Sequence, residues 1–335
     1  MFYTKINNRR YLGNKYRILP FIKQTIAENC GEFETFADIF AGTGAVSSAY
    51  TDKILYTNDI LYSNYLCHLT WFSDEVFDIK KIENYINLYN SEIPFEENYM
   101  TRNFSGTYFS DKVCSKIGFI RENIENEFCS EKINSRERAM LITSLLYGID
   151  KIANTCGHYD AYRKNAELPE FFTMCVPEPN ANLKHNHCFN EDTNELVKKI
   201  SADVVYIDPP YNSRQYCDAY HLIENIARWE KPEVFGVAKK MDRTALKSKY
   251  CTREAPAAFE DLIKNISAKY IVVSYNNMAK KGNDRSNARI SDSQILETLE
   301  NKGDVKTFSQ PLKAFTTGKS EHSDNEERLF VCKVK

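Results

Sequence analysis

What this 335-residue sequence lacks excludes several classes of protein at once. Its 10 cysteines are scattered from Cys30 to Cys332 and none stands in a C-x-x-C pair, so no disulfide framework is expected. Scattered thiols suit the reducing cytoplasm. The densest His/Cys group, "HNHC" at His185 to Cys188, has no second ligand cluster, so no metal site is expected. Long apolar runs are missing too: nothing approaches the roughly 20 residues of a membrane span. The opening "MFYTKINNRRYLG" does not read as a signal peptide. Net charge is nearly absent, since 44 Lys+Arg against 46 Asp+Glu leave −2, and the chain as a whole carries no nucleic-acid signature. Internal repeats and long low-complexity tracts are absent as well. With 42% hydrophobic residues, the chain has the material for a sizeable core, as one large domain or a domain with an insert.

The charges that are present are segregated. From Arg228 to Arg253 there are eight Lys/Arg against three Asp/Glu, including Lys239, Lys240, Arg243, Lys247 and Lys249. The run "KKGNDRSNAR" at 280–289 is basic as well, while Asp74 to Glu97 is acidic. Such runs are either solvated faces or, for the basic ones, a surface that meets phosphate.

Apolar spacing at Ile18, Phe21, Ile22 and Ile26 predicts an amphipathic helix over 15–30. "TFADIF" (35–40) reads as a strand, "AGTGAVSSAY" as a turn into a helix, "KILYTND" (53–59) as a strand and 60–71 as a helix. Further helical spacing falls at 112–126 and 136–152, and short apolar strands at 202–207 and 269–275. "VKTFSQPL" and "RLFVCKV" read as two strands that pair through the polar loop between them. Strands alternating with helices predict an α/β fold with a mainly parallel sheet. Residues 85–185 break the rhythm and read as an insert.

Two stretches carry chemistry. In "DIFAGTGAVS", Asp38 ends a strand, and Gly42 and Gly44 form a tight turn that lets backbone approach a ligand. Asp59 closes the next strand seventeen residues after Gly42, where a carboxylate can accept the hydroxyl protons of a ribose. NAD, FAD and S-adenosylmethionine sites share this geometry, as does a turn in any Rossmann-like core. Ser47 in place of a third glycine argues against NAD. The second stretch is "DVVYIDPPYNSRQY", in which an apolar strand stops at Asp208, Pro209, Pro210 and Tyr211. Two prolines fix φ and remove two donors, so the tip is rigid and offers acceptors. The bland reading is a strand followed by a Pro-rich turn. In open α/β sheets ligands lie beyond the carboxyl ends of the strands, and the Gly42 turn, Asp59 and Asp208 all fall at such ends. One tip can hold a cofactor. The other can hold a planar amine, with Asp208 and a proline carbonyl accepting its protons while Tyr211 stacks on the ring.

The chain resembles the Dam-like adenine-specific DNA methyltransferases. "RYLGNKYRIL" (10–19) is similar to their amino-terminal cofactor motif, "DIFAGTG" to their glycine motif and "FNEDTNELVKKISADVVYIDPPY" to the segment leading into the catalytic tetrapeptide. "YIVVSYNN" (270–277) is similar to a later strand lining their target pocket. The resemblance covers most of the chain except 85–185. It implies a Rossmann-like, S-adenosylmethionine-dependent methyltransferase sheet from 1–84 and 186–335, with 85–185 as an inserted target-recognition region. Tyr11, Lys15, Asp38, Gly42, Gly44, Asp59, Asp192 and Asp208 are then the expected cofactor residues, with Asp192 near the adenine. Asp208, Pro209, Pro210 and Tyr211 are the expected catalytic ones. Double-stranded DNA is the expected partner, contacted by Arg214, Lys239, Lys240, Arg243, Lys247 and Lys249. The implied activity is methyl transfer to the N6 amine of a flipped adenine.

Departures narrow the resemblance. The Dam branch has an Asn-Arg motif with a following Asn-Gly, whereas the matching segment here reads "LLYGIDKIANTCGHYDAYRK" (145–164), so GATC specificity is not carried over. The tail after Tyr211 resembles modification enzymes that accompany restriction endonucleases, some of which act on sites containing ATG, so a cognate endonuclease is a possible partner. Rival readings are methylation of cytosine's amine, of RNA or of a protein glutamine, a catalytically inactive DNA-binding subunit with the same fold, and a nicotinamide dehydrogenase. Asp at 208 favours adenine, since the related families place Ser or Asn there.

Overall fold

The β-branched and aromatic runs form the strands the alternation predicts, and Val204–Ile207 and 271–275 are buried on both faces. A computed structural model of the chain describes residues 2–9, 11–179, 185–276, 288–311 and 326–335. Most of the basic run at 280–289, Asn277, Arg10 and the loop between the last two strands lie outside the described residues.

Seven strands make one sheet: β1 (Thr35–Asp38), β2 (Ile54–Asn58), β3 (His187–Phe189), β4 (Ser201–Ile207), β5 (Ser267–Asn276), β6 (Gly303–Pro311) and β7 (Glu326–Val334). Their order is β3-β2-β1-β4-β5-β7-β6. β1 runs parallel to β2 and β4, and β4 parallel to β5. β7 lies antiparallel to both β5 and β6, so the last two strands pair as expected. The order reverses between β1 and β4, which makes their carboxyl ends the switch point where a ligand crevice opens. Because β7 is inverted, its beginning meets the carboxyl end of β5: Glu327 stands opposite Asn276.

The chain divides into two compact units. The sheet belongs to the unit of Lys15–Ile60, Phe189–Gln215 and Lys247–Lys335; the other is Met1–Asn14, Leu61–Cys188 and Tyr216–Leu246. In the sheet unit, helices Leu19–Asn29, Ala255–Asn265 and Asp292–Glu300 accompany the strands, and Pro20 starts the first of them where its missing N–H costs nothing. One expectation fails here. No regular helix follows the glycine turn, only a 3-10 turn at Ser47–Ala49. Gly42 and Gly44 sit at φ +55° and +82°, and only three residues separate Ala49 from Lys53, whose N–H bonds back to Tyr50. The left-handed glycines and the 3-10 turn take up the crossover instead.

The other unit is mainly helical, with Tyr62–Phe72, Ile79–Asn90, Asp111–Cys129 and Ser135–Asp150 as its long elements. Their starts are marked in sequence: Ser110 caps the third, and Asn134 with Glu137 forms a capping box on the fourth. Residues 85–185 lie inside this unit, which also takes in 61–84 and 216–246. Among the described residues no helix is long and apolar enough to cross a membrane.

Candidate active site

At the end of β1 the chain turns through Gly42, whose N–H donates to Asp59 Oδ2 at 3.0 Å. The turn and the acid that closes β2 are thereby pinned together, and the N–H of Ala41 bonds to the Asn58 carbonyl at 2.9 Å. Asp38 is 1% exposed. The Ser47 hydroxyl donates to its Oδ2 at 2.8 Å, while its Oδ1 meets no hydrogen-bond partner among the described residues. Burial raises the Asp38 carboxyl to about 7 against the Ser47 hydrogen bond, with Asp208 and Asp59 adding to the rise.

The end of β4 holds a denser arrangement. Lys15 Nζ lies 2.9 Å from Asp208 Oδ1, 3.3 Å from Glu327 Oε1 and 2.7 Å from the Tyr211 hydroxyl. The ammonium also stands 4.7 Å from the centre of the Tyr211 ring. The Tyr211 hydroxyl is 2.6 Å from Asp208 Oδ1 and touches Glu327 Oε1, to which Ser274 also donates at 2.6 Å. Burial works against the Lys15 charge, but Asp208 and Glu327 outweigh it and the ammonium is held above its ordinary range. Burial also raises Asp208, with Glu327 adding to the rise and Lys15 and Tyr211 opposing it. Tyr211, partly buried beside two acids, is pushed far above its usual range by burial of its hydroxyl and by Asp208 and Glu327, and remains a neutral hydroxyl. Its backbone is fixed as well: the Tyr211 carbonyl accepts from the N–H of Arg289 at 2.8 Å and the Tyr275 hydroxyl at 3.2 Å.

Lys15, Asp38, Gly42, Gly44, Asp59, Asp208, Pro209, Pro210 and Tyr211 therefore belong to one unit, at or near the carboxyl ends of its strands. Asp192, in the same unit, is exposed and caps Thr193–Leu196, accepting from the N–H groups of Asn194 and Glu195. The next residue, Thr193, bonds to the Ile39 carbonyl at 3.0 Å, which ties this cap to the end of β1. Tyr11 lies in the helical unit, stacked on Tyr220 at 4.6 Å and accepting from Asn64. The amino-terminal motif thus spans the boundary between units at Asn14 and Lys15.

The basic residues separate into two kinds. Lys240 pairs with Asp160 at 2.7 Å and Arg243 with Asp218 at 2.7 Å, so their charges are already balanced. Lys239 sits in a tight loop at φ +51°. Lys247, Lys249 and Arg214 are exposed, and no carboxylate among the described residues pairs with either lysine. Sequence reasoning missed Glu327 and Ser274. Ser274 looks like any strand residue, but Glu327 had a signal: an acid at the mouth of a strand whose next five residues are buried.

Residues 11–284 match the D12 class N6 adenine-specific DNA methyltransferase family. The chain is similar to the modification methylase StsI of Streptococcus sanguinis, 38% identical over 295 residues, covering 80% of this chain and 44% of that protein. It is 33% identical over 303 residues to the modification methylase LlaI of Lactococcus lactis subsp. lactis, covering 81% of this chain and 46% of that protein. The type II methyltransferase M.NlaIII of Neisseria lactamica is 29% identical over 331 residues, 94% of this chain and 95% of its own length. The chain thus spans about half the length of the first two and nearly all of the third.

Proposed function

Because this chain belongs to the D12 class N6 adenine-specific DNA methyltransferase family, we propose that it methylates the N6 amine of an adenine flipped out of double-stranded DNA, using S-adenosylmethionine, as the modification enzyme of a restriction–modification system. The observation that carries this reading is Asp208, an ionisable acceptor at the end of β4, held by Lys15 and Tyr211 at the switch point of the sheet.

The residues present fit the cofactor. Two left-handed glycines in the turn after β1 carry no side chains of their own, Asp59 stands beside them, and Asp38 keeps a buried Oδ1 that no described residue satisfies. An amino group or a hydroxyl would satisfy such an oxygen. When bound, S-adenosylmethionine supplies a methyl group on a positively charged sulfur. Gly42 and Gly44 would admit it, Asp59 would accept from its ribose and Lys15 and Asp208 would border it.

Asp208 and the Pro209 carbonyl do the rest. Adenine's N6 is a poor nucleophile because its lone pair is delocalised into the ring. Hydrogen bonds from its two N–H groups to these acceptors favour a more tetrahedral nitrogen and stabilise the positive charge that develops on it. Holding the two reactants in line contributes about 7 kcal/mol or more. The stiff Asp208–Tyr211 segment is the device for that alignment, and the Tyr211 ring offsets part of the few kcal/mol that flipping costs. Exposed Lys247, Lys249 and Arg214 are the proposed phosphate contacts. Base reading is assigned to 85–185, and the cytoplasm is the expected location.

The test is long-read modification mapping of DNA from cells expressing this chain, alongside radiolabelled methyl transfer by the purified protein. N6-methyladenine at one short sequence motif is expected. Absence of transfer to any DNA would overturn the proposal in favour of a DNA-binding subunit, and methylcytosine would overturn the choice of base.

A further inference from the structure

Among the described residues, the cluster at the end of β4 holds two carboxylates but one ammonium, and counting its protons shows how they are used. Lys15 has three N–H donors, and Asp208 Oδ1, Glu327 Oε1 and the Tyr211 oxygen lie around it. Tyr211 has a single O–H within reach of both acids and can donate it to only one. Ser274 donates to Glu327. These contacts use one oxygen of each carboxylate, so Asp208 Oδ2 forms no hydrogen bond with a described residue. The two acids also differ in access: the Asp208 side chain is 17% exposed and that of Glu327 only 4%. Asp208 can be reached by a substrate. Glu327, on β7 with β5 between it and β4, acts through Lys15, Tyr211 and Ser274.

We propose that Glu327 is a positioning residue for methyl transfer: by engaging Lys15, Tyr211 and Ser274 it leaves Asp208 an open acceptor oxygen and leaves the cluster with one surplus negative charge. This rests on the methyl-transfer reading above. The surplus charge faces the positive charge that grows on the amine, where it is worth most because the site is largely buried. With Glu327 neutral, Lys15 would pair with Asp208 alone, and the cluster would cancel.

A pH profile separates this role from packing. The charged and titratable groups facing Asp208 are Lys15, Glu327 from β7, Tyr211, Tyr206 from β4 itself and Asp38 from β1. Glu327 raises the Asp208 carboxyl, so its neutralisation lowers it. In the Glu327→Gln protein, kcat at saturating DNA and S-adenosylmethionine should fall about tenfold or more, as misplaced acceptors do. The acid limb of the kcat profile should move down by about one pH unit, and the KM for S-adenosylmethionine should change much less. Glu327→Asp, which retains the charge, should keep the wild-type limb even if kcat is lower, and it serves as the partner measurement if Gln disturbs folding. An unmoved or raised acid limb in Glu327→Gln, or Asp and Gln variants with the same limb, would overturn the inference. An inactive wild-type protein would instead remove the functional reading. In that case NMR titration of the Asp208 carboxyl still decides whether Glu327 raises it.

Discussion

Buried charges are used differently in the two units. In the helical unit Arg121 and Glu224 serve backbone. The Arg121 guanidinium donates to the Ile226 carbonyl at 2.8 Å and is balanced by Glu125, which also takes Arg138. Glu224, fully buried, accepts from the N–H groups of Tyr62 and Ser63 at 2.8 and 2.9 Å and pairs with Arg228. Leu61 has no side chain able to cap the helix it precedes, so Glu224 caps it from elsewhere in the unit. In the sheet unit, Lys15, Asp208 and Glu327 face one another, with two acids for one base among the described residues. Two carboxylates sharing one partner in a buried site repel, so the arrangement costs stability. A charge imbalance of that kind is expected where charge is needed for a reaction. Charges of the first kind hold a shape; those of the second hold a chemical potential.

Substitution separates the two uses. Asp208→Ala should lower kcat on the order of 10³-fold or more, as loss of a transition-state hydrogen-bond partner does. Thermal melting should show no loss of stability, because Lys15 and Glu327 then form a balanced pair. Near-normal turnover would take Asp208 out of the mechanism, and a large drop in Tm would assign it to the first kind of charge. Glu224→Ala should do the reverse. It leaves two helix-start N–H groups and Arg228 without their acceptor, and chemical denaturation should register a loss of about 3 kcal/mol. Asp59→Ala stands between them: it removes a cofactor acceptor and loosens the Gly42 turn, so KM for S-adenosylmethionine should rise about tenfold with kcat changed less. Unchanged cofactor affinity by calorimetry would detach Asp59 from the cofactor. The smallest effect concerns the exposed lysines. Replacing Lys247 and Lys249 together by Gln should flatten the plot of log affinity against log salt by about two, at roughly 0.9 per phosphate contact. The same change at Lys240 and Arg243, whose charges are spent on Asp160 and Asp218, should flatten it less. Equal slopes in all three proteins would make the whole run a solvated face.

Local pattern made most of the sheet legible. Apolar runs at 35–40, 53–59, 202–207 and 269–275 correspond to β1, β2, β4 and β5 within a residue or two at most ends, because burial on both faces requires such runs. The glycine turn was legible as a turn and illegible as an ending, since the propensity of "AVSSAY" does not show that the chain closes on 3-10 bonds and turns back at Lys53. The basic run from Arg228 to Arg253 looked uniform in one dimension. In three, Lys240 and Arg243 meet acids more than 20 residues away, at positions no periodicity connects to them.

The sequence alone therefore carried the strands, the Gly42 turn and the Asp208–Tyr211 tip, since each depends on neighbours a few residues away. Folding decided the company Asp208 keeps. Lys15 reaches Tyr211 across 196 positions and Glu327 reaches it across 116, because β7 inserts between β5 and β6 in the opposite direction. That inversion brings the start of the strand, with its acid, to the edge where parallel strands end.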